Sequence, residues 1–124
     1  MKNIKFKAKT LNSGEWVVGD LLHRITDTCI VTKDMDDIVY YPVDPSTVCQ
    51  FTGEKDTMEE DIYVGDIISN LETGSVIEVV WNDRLKRLDC KFLNADKGLE
   101  IPFGIFISRY KRIVVIISKL DKEK

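Results

Sequence analysis

The feature that most limits how this chain can fold is the two-residue rhythm of its apolar side chains, interrupted every 8 to 14 residues by turn formers. In "NIKFKAK" Ile4, Phe6 and Ala8 alternate with Lys5, Lys7 and Lys9; in "RLDCKFL" Leu88, Cys90 and Phe92 form one apolar set. Successive side chains of an extended strand point to opposite faces, so each run carries one apolar face and one polar face. The lysines of the first run mark it as an expected edge strand, because exposed ammonium groups discourage sheet-to-sheet pairing. Further strand candidates are "GEWVVG", "TCIVT", "DIVYYPV", "SVIEVVW", "EIPFGIF" and "RIVVII", several of them rich in the β-branched residues that favour an extended backbone.

Between these runs stand Asn12-Ser13-Gly14, Asp34 to Asp37, Asp44-Pro45, Thr52-Gly53, Glu72-Thr73-Gly74, Asn82-Asp83 and Asp96-Lys97-Gly98. Short polar connections of this kind favour antiparallel meanders over crossover units. No window of 12 or more residues carries a helical stripe. One short helix is expected near residues 44–51, where an Asp precedes a Pro suited to a first turn. The expected fold class is therefore all-β, mostly antiparallel, with SH3-like or barrel-like sheets and at most that one helix.

One phrase occurs twice. "VVGDLL" at residues 17–22 returns as "YVGDII" at residues 63–68, which aligns Gly19 with Gly65 and Asp20 with Asp66 across 46 positions. Glycine permits a tight turn or a close approach, and the following Asp can accept hydrogen bonds from nearby amides. The reading is a structural corner that launches a strand, used once in each of two small intertwined β subdomains sharing one core. Their expected limits are 1–52 and 62–124, joined by the acidic loop 53–61, within a single domain spanning 1–124. The alternative is a chance match in an all-β chain. "GDIISNLETGSVIEVVWN" resembles the opening hairpin of SH3-like barrels, some of which bind nucleic acid, although fold alone does not carry function.

Charge narrows the partners. The chain of 124 residues carries a net charge of −3, so no global cationic field draws it to nucleic acid or to an anionic membrane. Residues 1–62 hold 7 Lys/Arg against 12 Asp/Glu and residues 63–124 hold 11 against 9, which makes the second half mildly basic. Cys29, Cys49 and Cys90 form no CxxC pair and read as reduced, buried thiols. "MKNIKFKAKT" lacks the apolar core of a signal peptide, and an uncharged apolar run such as "IVVIIS" is far shorter than the roughly 20 apolar residues of a membrane span. A soluble cytoplasmic protein is expected.

Chemistry is sparse. Glu54, Asp56, Glu59, Glu60 and Asp61 offer carboxylates, but the stretch has no Gly after Gly53 to turn a calcium loop, and it reads as a solvated loop. His23 is the sole histidine, and nothing at ligand spacing accompanies it. No catalytic, cofactor-binding or metal-binding residue is assigned and no cofactor is expected; a metal-dependent enzyme using His23 and the acidic loop is the weakest of three readings. Basic residues cluster at Arg84, Lys86, Arg87 and Lys91 and again at Arg109, Lys111 and Arg112. With Trp81 and Tyr110 beside them, Arg84, Lys86, Arg87 and Arg112 supply a candidate groove for a phosphate backbone and stacked bases. The preferred alternative is an ordinary charged strand face.

Residues 43–68, "VDPSTVCQFTGEKDTMEEDIYVGDII", resemble the YopX family of phage and prophage proteins. The likeness rests on Val43-Asp44-Pro45, Thr47-Val48, Gln50-Phe51-Thr52-Gly53, Lys55-Asp56, Ile62-Tyr63 and Gly65-Asp66-Ile67, with "IKFKA" and Trp16, Gly19 and Asp20 extending it over residues 4–68. The resemblance implies a β-rich phage protein with no catalytic residues to carry over. The expected function is that of a non-enzymatic module acting in the host cytoplasm through a protein partner or through self-association, with exposed aromatics such as Tyr40-Tyr41 in the contact. A nucleic-acid-binding module is the alternative.

Overall fold

The computed structural model describes residues 5–94 and 99–122. Ile4 and the expected turn at Asp96-Lys97-Gly98 lie outside them. Eleven strands follow in order: β1 (Phe6–Lys9), β2 (Trp16–His23), β3 (Thr28–Asp34), β4 (Asp37–Pro42), β5 (Cys49–Lys55), β6 (Asp61–Tyr63), β7 (Asp66–Asn70), β8 (Val76–Asn82), β9 (Arg87–Phe92), β10 (Glu100–Pro102) and β11 (Ile113–Ser118). Helix α1 (Phe103–Arg109) precedes β11, and one further turn, α2 (Lys119–Lys122), follows it. All recorded pairings are antiparallel, and neither sheet closes into a barrel.

Two compact units divide the chain, Met1–Gly53 and Glu54–Lys124. The first has the strand order β4-β3-β2-β1-β5; β5 carries the chain over the boundary and β6 follows it in the same sheet. The second has the order β10-β9-β8-β7-β11. Apart from β6, which opens the second unit, each has four strands, a short helical segment and a further strand that returns beside the first of its set.

The likeness between the units extends to their first hairpins. Thr10 accepts from Gly14 N at 2.9 Å and donates to Glu15 O at 3.0 Å; Asn70 accepts from Gly74 N at 2.8 Å and donates to Ser75 O at 2.8 Å. Gly14 and Gly74 both turn with positive φ, +73° and +82°, as glycine readily does. These positions are 60 apart, as are the first residues of β1 and β7 and of β2 and β8. The structural repeat therefore has a spacing of 60, not 46. It was visible in the sequence as Leu11-Asn12-Ser13-Gly14 against Leu71-Glu72-Thr73-Gly74.

The expected pairing of Gly19-Asp20 with Gly65-Asp66 is corrected accordingly. Gly65, with φ +98°, is a corner before β7, and Asp66 Oδ2 accepts from Tyr63 N at 2.8 Å. Gly19 and Asp20 instead lie inside β2, where the strand changes partner: Trp16 to Gly19 pair with β1 and Asp20 to His23 with β3. A Cβ on Gly19 would come within 2.3 Å of Val31 O, a backbone atom that cannot turn away. Gly19→Ala should cost about 2 kcal/mol by the usual scale for overpacking, read as a lower urea midpoint at unchanged slope. Asp20→Ala, one residue on and exposed, should stay close to the parent.

Three other expectations change. β1 is an interior strand between β2 and β5, and its lysines bend over rings: Lys7 and Lys9 Nζ lie 4.4 and 5.2 Å from the Trp16 centroid, and Lys5 Nζ 4.6 Å from that of Phe51. The helix expected near 44–51 is a single 3-10 turn, Pro45–Thr47, with Asp44 Oδ1 accepting from Ser46 N at 3.0 Å. "EIPFGIF", expected as one strand, is divided: Glu100–Pro102 is β10, and the α-helix starts at Phe103. Phe103, Phe106, Ile107 and Tyr110 fall at helical spacing and pack on one core, but over fewer residues than a 12-residue window detects.

Each unit has its own apolar cluster. In the first, Ala8, Ile30 and Val43 are buried with Phe6, Val17, Leu21 and Val48 against them. The second is larger: Ile62, Ile68, Ile77, Val79, Cys90, Phe103, Phe106 and Ile113.

Candidate functional site

The β8–β9 hairpin builds a concave surface. Along β8, Ile77 and Val79 turn inward and are fully buried, while the strand's end brings Trp81 past the core, where it stays 51% exposed. Asn82 pairs with Arg87 across a four-residue turn, Asp83 to Lys86, in which Lys86 takes φ +55° and Leu85 N donates to Asn82 Oδ1 at 3.0 Å. Lys86 Nζ meets Asp83 Oδ1 at 3.1 Å, and the Trp81 indole N–H donates to the same oxygen at 3.4 Å.

Asp89 lies beneath this turn, buried. Its Oδ2 accepts from Asn82 Nδ2 at 2.8 Å and its Oδ1 from Arg87 Nε at 2.7 Å. Burial pushes its pKa up, but the hydrogen bonds from Asn82 and Arg87, with the Arg87 charge, outweigh it and hold the carboxyl below the ordinary value. A depressed folded pKa means that the stabilising contribution is present above the unfolded value and disappears as pH falls below about 3.8. Acid unfolding should therefore steepen in that range for the parent and flatten for Asp89→Asn; parallel curves would show that the carboxylate is not so held.

The resulting groove, about 630 Å³, is lined by Val80, Trp81, Asn82, Asp83, Arg84, Leu85, Arg87, Asp89, Lys91 and Glu100. Its three cations, Arg84, Arg87 and Lys91, are matched by the carboxylates of Asp83, Asp89 and Glu100. Trp81 and Leu85, the latter 41% exposed, supply the apolar surface.

The second basic cluster does not join it. Lys111 N and Arg112 N donate to Glu72 Oε2 at 2.7 and 3.0 Å, at the β7–β8 turn, and these bonds hold the Glu72 carboxyl below its ordinary value. That turn leads into the start of β8, whereas Arg84, Lys86 and Arg87 stand beyond its end. Seven extended residues separate the two by roughly 20 Å. Tyr110 is half-buried and packs against the core with its ring 5.3 Å from Phe106. The candidate set Trp81, Arg84, Lys86, Arg87, Tyr110 and Arg112 is thus split: the first four share the hairpin and the last two do not.

The acidic stretch is the solvated turn of a hairpin between β5 and β6, with Glu54, Glu59 and Glu60 exposed. Asp56 is buried and acts as its organiser: Oδ1 accepts from Met58 N at 2.8 Å and Glu60 N at 2.9 Å, and Oδ2 from Val115 N at 2.8 Å. Thr57 docks beside it, N to Ile113 O at 2.9 Å and Oγ1 accepting from Ile113 N at 2.8 Å. Sequence reasoning grouped Asp56 with its exposed neighbours; the only signal for its role was the Asp-Thr step typical of side-chain-capped turns. Lys55 Nζ pairs with Asp61 Oδ1 at 2.8 Å. Among the described residues no three His, Cys, Asp or Glu side chains converge as a metal site, and His23 is exposed with Nδ1 3.3 Å from Thr28 Oγ1.

All three cysteines are buried. Burial pushes the Cys29 thiol up and that of Cys90 up to about 12, away from the thiolate form that reacts. The folded protein should react slowly with a thiol reagent near neutral pH and release three equivalents once unfolded; rapid labelling of the native state would contradict this burial.

Fold and site together define a mostly antiparallel β protein of two like units with one mixed-charge groove. Comparison with protein-family models gives no match, and neither does comparison with curated proteins. No helix among the described residues is long and apolar enough to cross a membrane.

Proposed function

We propose that the protein is a non-enzymatic β module that binds a protein partner through the β8–β9 groove. The observation that carries this reading is the pairing of an exposed Trp81 and Leu85 with balanced charge. Aromatic anchors with a polar rim suit a peptide surface, whereas a phosphate backbone calls for net cationic charge. The resemblance of residues 4–68 to the YopX family supports placing the module among phage or prophage proteins working in a bacterial cytoplasm.

The test is affinity capture from bacterial lysate with the parent and with Leu85→Asp, which alters the groove at an exposed turn. A partner retained by the parent and lost by the variant is the expected result. Equal capture by both, or none by either, would refute this reading. The nucleic-acid alternative draws support from exposed Arg84 and Lys91, but the two basic clusters lie at opposite ends of β8. A 30-base DNA or RNA probe should accordingly show no gel shift at about 150 mM salt; a shift abolished by Arg84→Glu would favour that alternative instead.

A further inference from the structure

Four strands terminate the two sheets, and three of them are guarded. β11 has its outer edge capped by Asp56 and Thr57, which bond to Val115 N and to Ile113 N and O. β10 and β6 are three residues long, and β10 ends in Pro102. β4 is different: six residues, Asp37-Ile38-Val39-Tyr40-Tyr41-Pro42, with no Lys or Arg and every side chain but Val39 exposed. Proteins ordinarily blunt such an edge with charge, shortness or a cover, because its unused peptide groups can template another strand.

The register tells which peptide groups are unused. β3 and β4 meet at a two-residue turn, Met35-Asp36, with Met35 at φ +57° and Asp34 opposite Asp37. The pair closing such a turn exchanges both hydrogen bonds, and bonded pairs alternate from there. Asp37, Val39 and Tyr41 therefore bond inward to β3, and Ile38, Tyr40 and Pro42 face outward. Pro42 fits this assignment, since it has no N–H to offer and its carbonyl already accepts from Leu11 N at 3.0 Å. Ile38 and Tyr40 are left with two N–H and two C=O groups along the bare edge.

We propose that β4 is a self-association edge, at which a second copy of this chain pairs antiparallel about Val39, Ile38 of each copy facing Tyr40 of the other. The pattern is its own complement: each outward N–H meets an outward C=O, giving four hydrogen bonds with no change of fold. Charge selects the same orientation. The turn end is acidic with Asp34, Asp36 and Asp37, and antiparallel pairing carries it to the Pro42 end of the partner. There Arg24, its guanidinium 5.6 Å from the Tyr40 ring and bonded to Asp27, supplies a cation. Parallel pairing would set the acidic turns against each other. So short a ladder buries less than the roughly 1,200 Å² of a stable interface, and a dissociation constant on the order of 100 μM is expected.

Sedimentation equilibrium of the full chain from about 10 μM to about 1 mM tests this, with Tyr40→Lys placing a charge on the exposed strand. The parent should reach a dimer, Tyr40→Lys should weaken it at least about tenfold, and Met58→Lys, exposed on the β5–β6 turn, should leave it unchanged. Thermal melts verify that both variants remain folded. In a second measurement Val39→Cys, which faces its own copy at the centre of the pairing, should give a disulfide-linked dimer on mild oxidation well above that of Met58→Cys. A chain monomeric throughout, a dimer indifferent to Tyr40→Lys, or no preferential Val39→Cys cross-link would each overturn the proposal.

Discussion

Asp56→Ala should lower stability by about 3 kcal/mol, a drop of roughly 10 °C in Tm for a protein of this size. The carboxylate accepts three backbone N–H groups at once, two within its own hairpin and one on β11. Truncation leaves all three without their acceptor. Water can reach Met58 N and Glu60 N, whose side chains are exposed, but Val115 N is part of an edge that this side chain covers. Most of the loss should therefore come from that bond. Asp56→Asn, which keeps one acceptor oxygen, should recover part of it. Glu59→Ala and Glu60→Ala, equally acidic in sequence but exposed, should change stability by less than about 0.5 kcal/mol. Urea unfolding of the four variants checks the ranking, and an Asp56→Ala midpoint equal to that of Glu60→Ala would mean that the three hydrogen bonds carry no net weight.

Phe106→Ala should cost about 3 to 5 kcal/mol, the range for removing a buried aromatic ring. Phe106 is fully buried in the larger cluster, with Phe103 and Ile113 among its members, and its ring is tilted 55° to that of Tyr110. A two-turn helix makes too few internal hydrogen bonds to hold itself, so α1 depends on this ring. Removing it leaves a cavity and also loosens the helix that fills the space before β11. Ile105→Ala, on the opposite side and 52% exposed, should be nearly neutral. Near-equal effects at positions 105 and 106 would show that α1 is not anchored as described.

The strands were legible where the physics is local. Alternation located β1 and β9, and short apolar runs, several rich in β-branched residues, located β2, β3, β4, β8 and β11, because both signals are properties of a few adjacent residues. Turn residues gave Gly14 and Gly74 for the same reason, since a left-handed backbone is written into the choice of glycine. The role of β1 was not legible. Lysines that mark an edge in one setting lie over Trp16 and Phe51 in another, and only the tertiary pairing decides which. α1 was missed because two turns make too short a stripe to stand out from a strand. At the groove, the sequence offered Trp81, Arg84, Lys86 and Arg87 on one hairpin, but also Tyr110 and Arg112, which the path of β8 carries away.

The repeated Gly-Asp shows the same division. The sequence reading took the short match at a spacing of 46, whereas the structural repeat runs at 60, because matching hairpins share turn geometry that few of their letters reveal. What the chain determined by itself was a mostly antiparallel β protein with turns at stated places, since these depend on side-chain alternation and on φ, both properties of a few adjacent residues. What the tertiary structure decided was which strands lie inside and which at an edge, that Asp56 is buried while its acidic neighbours are not, and which basic residues share a surface. Those outcomes depend on hydrogen-bond partners and neighbours tens of residues distant, and no short stretch of sequence holds both halves of such a pair.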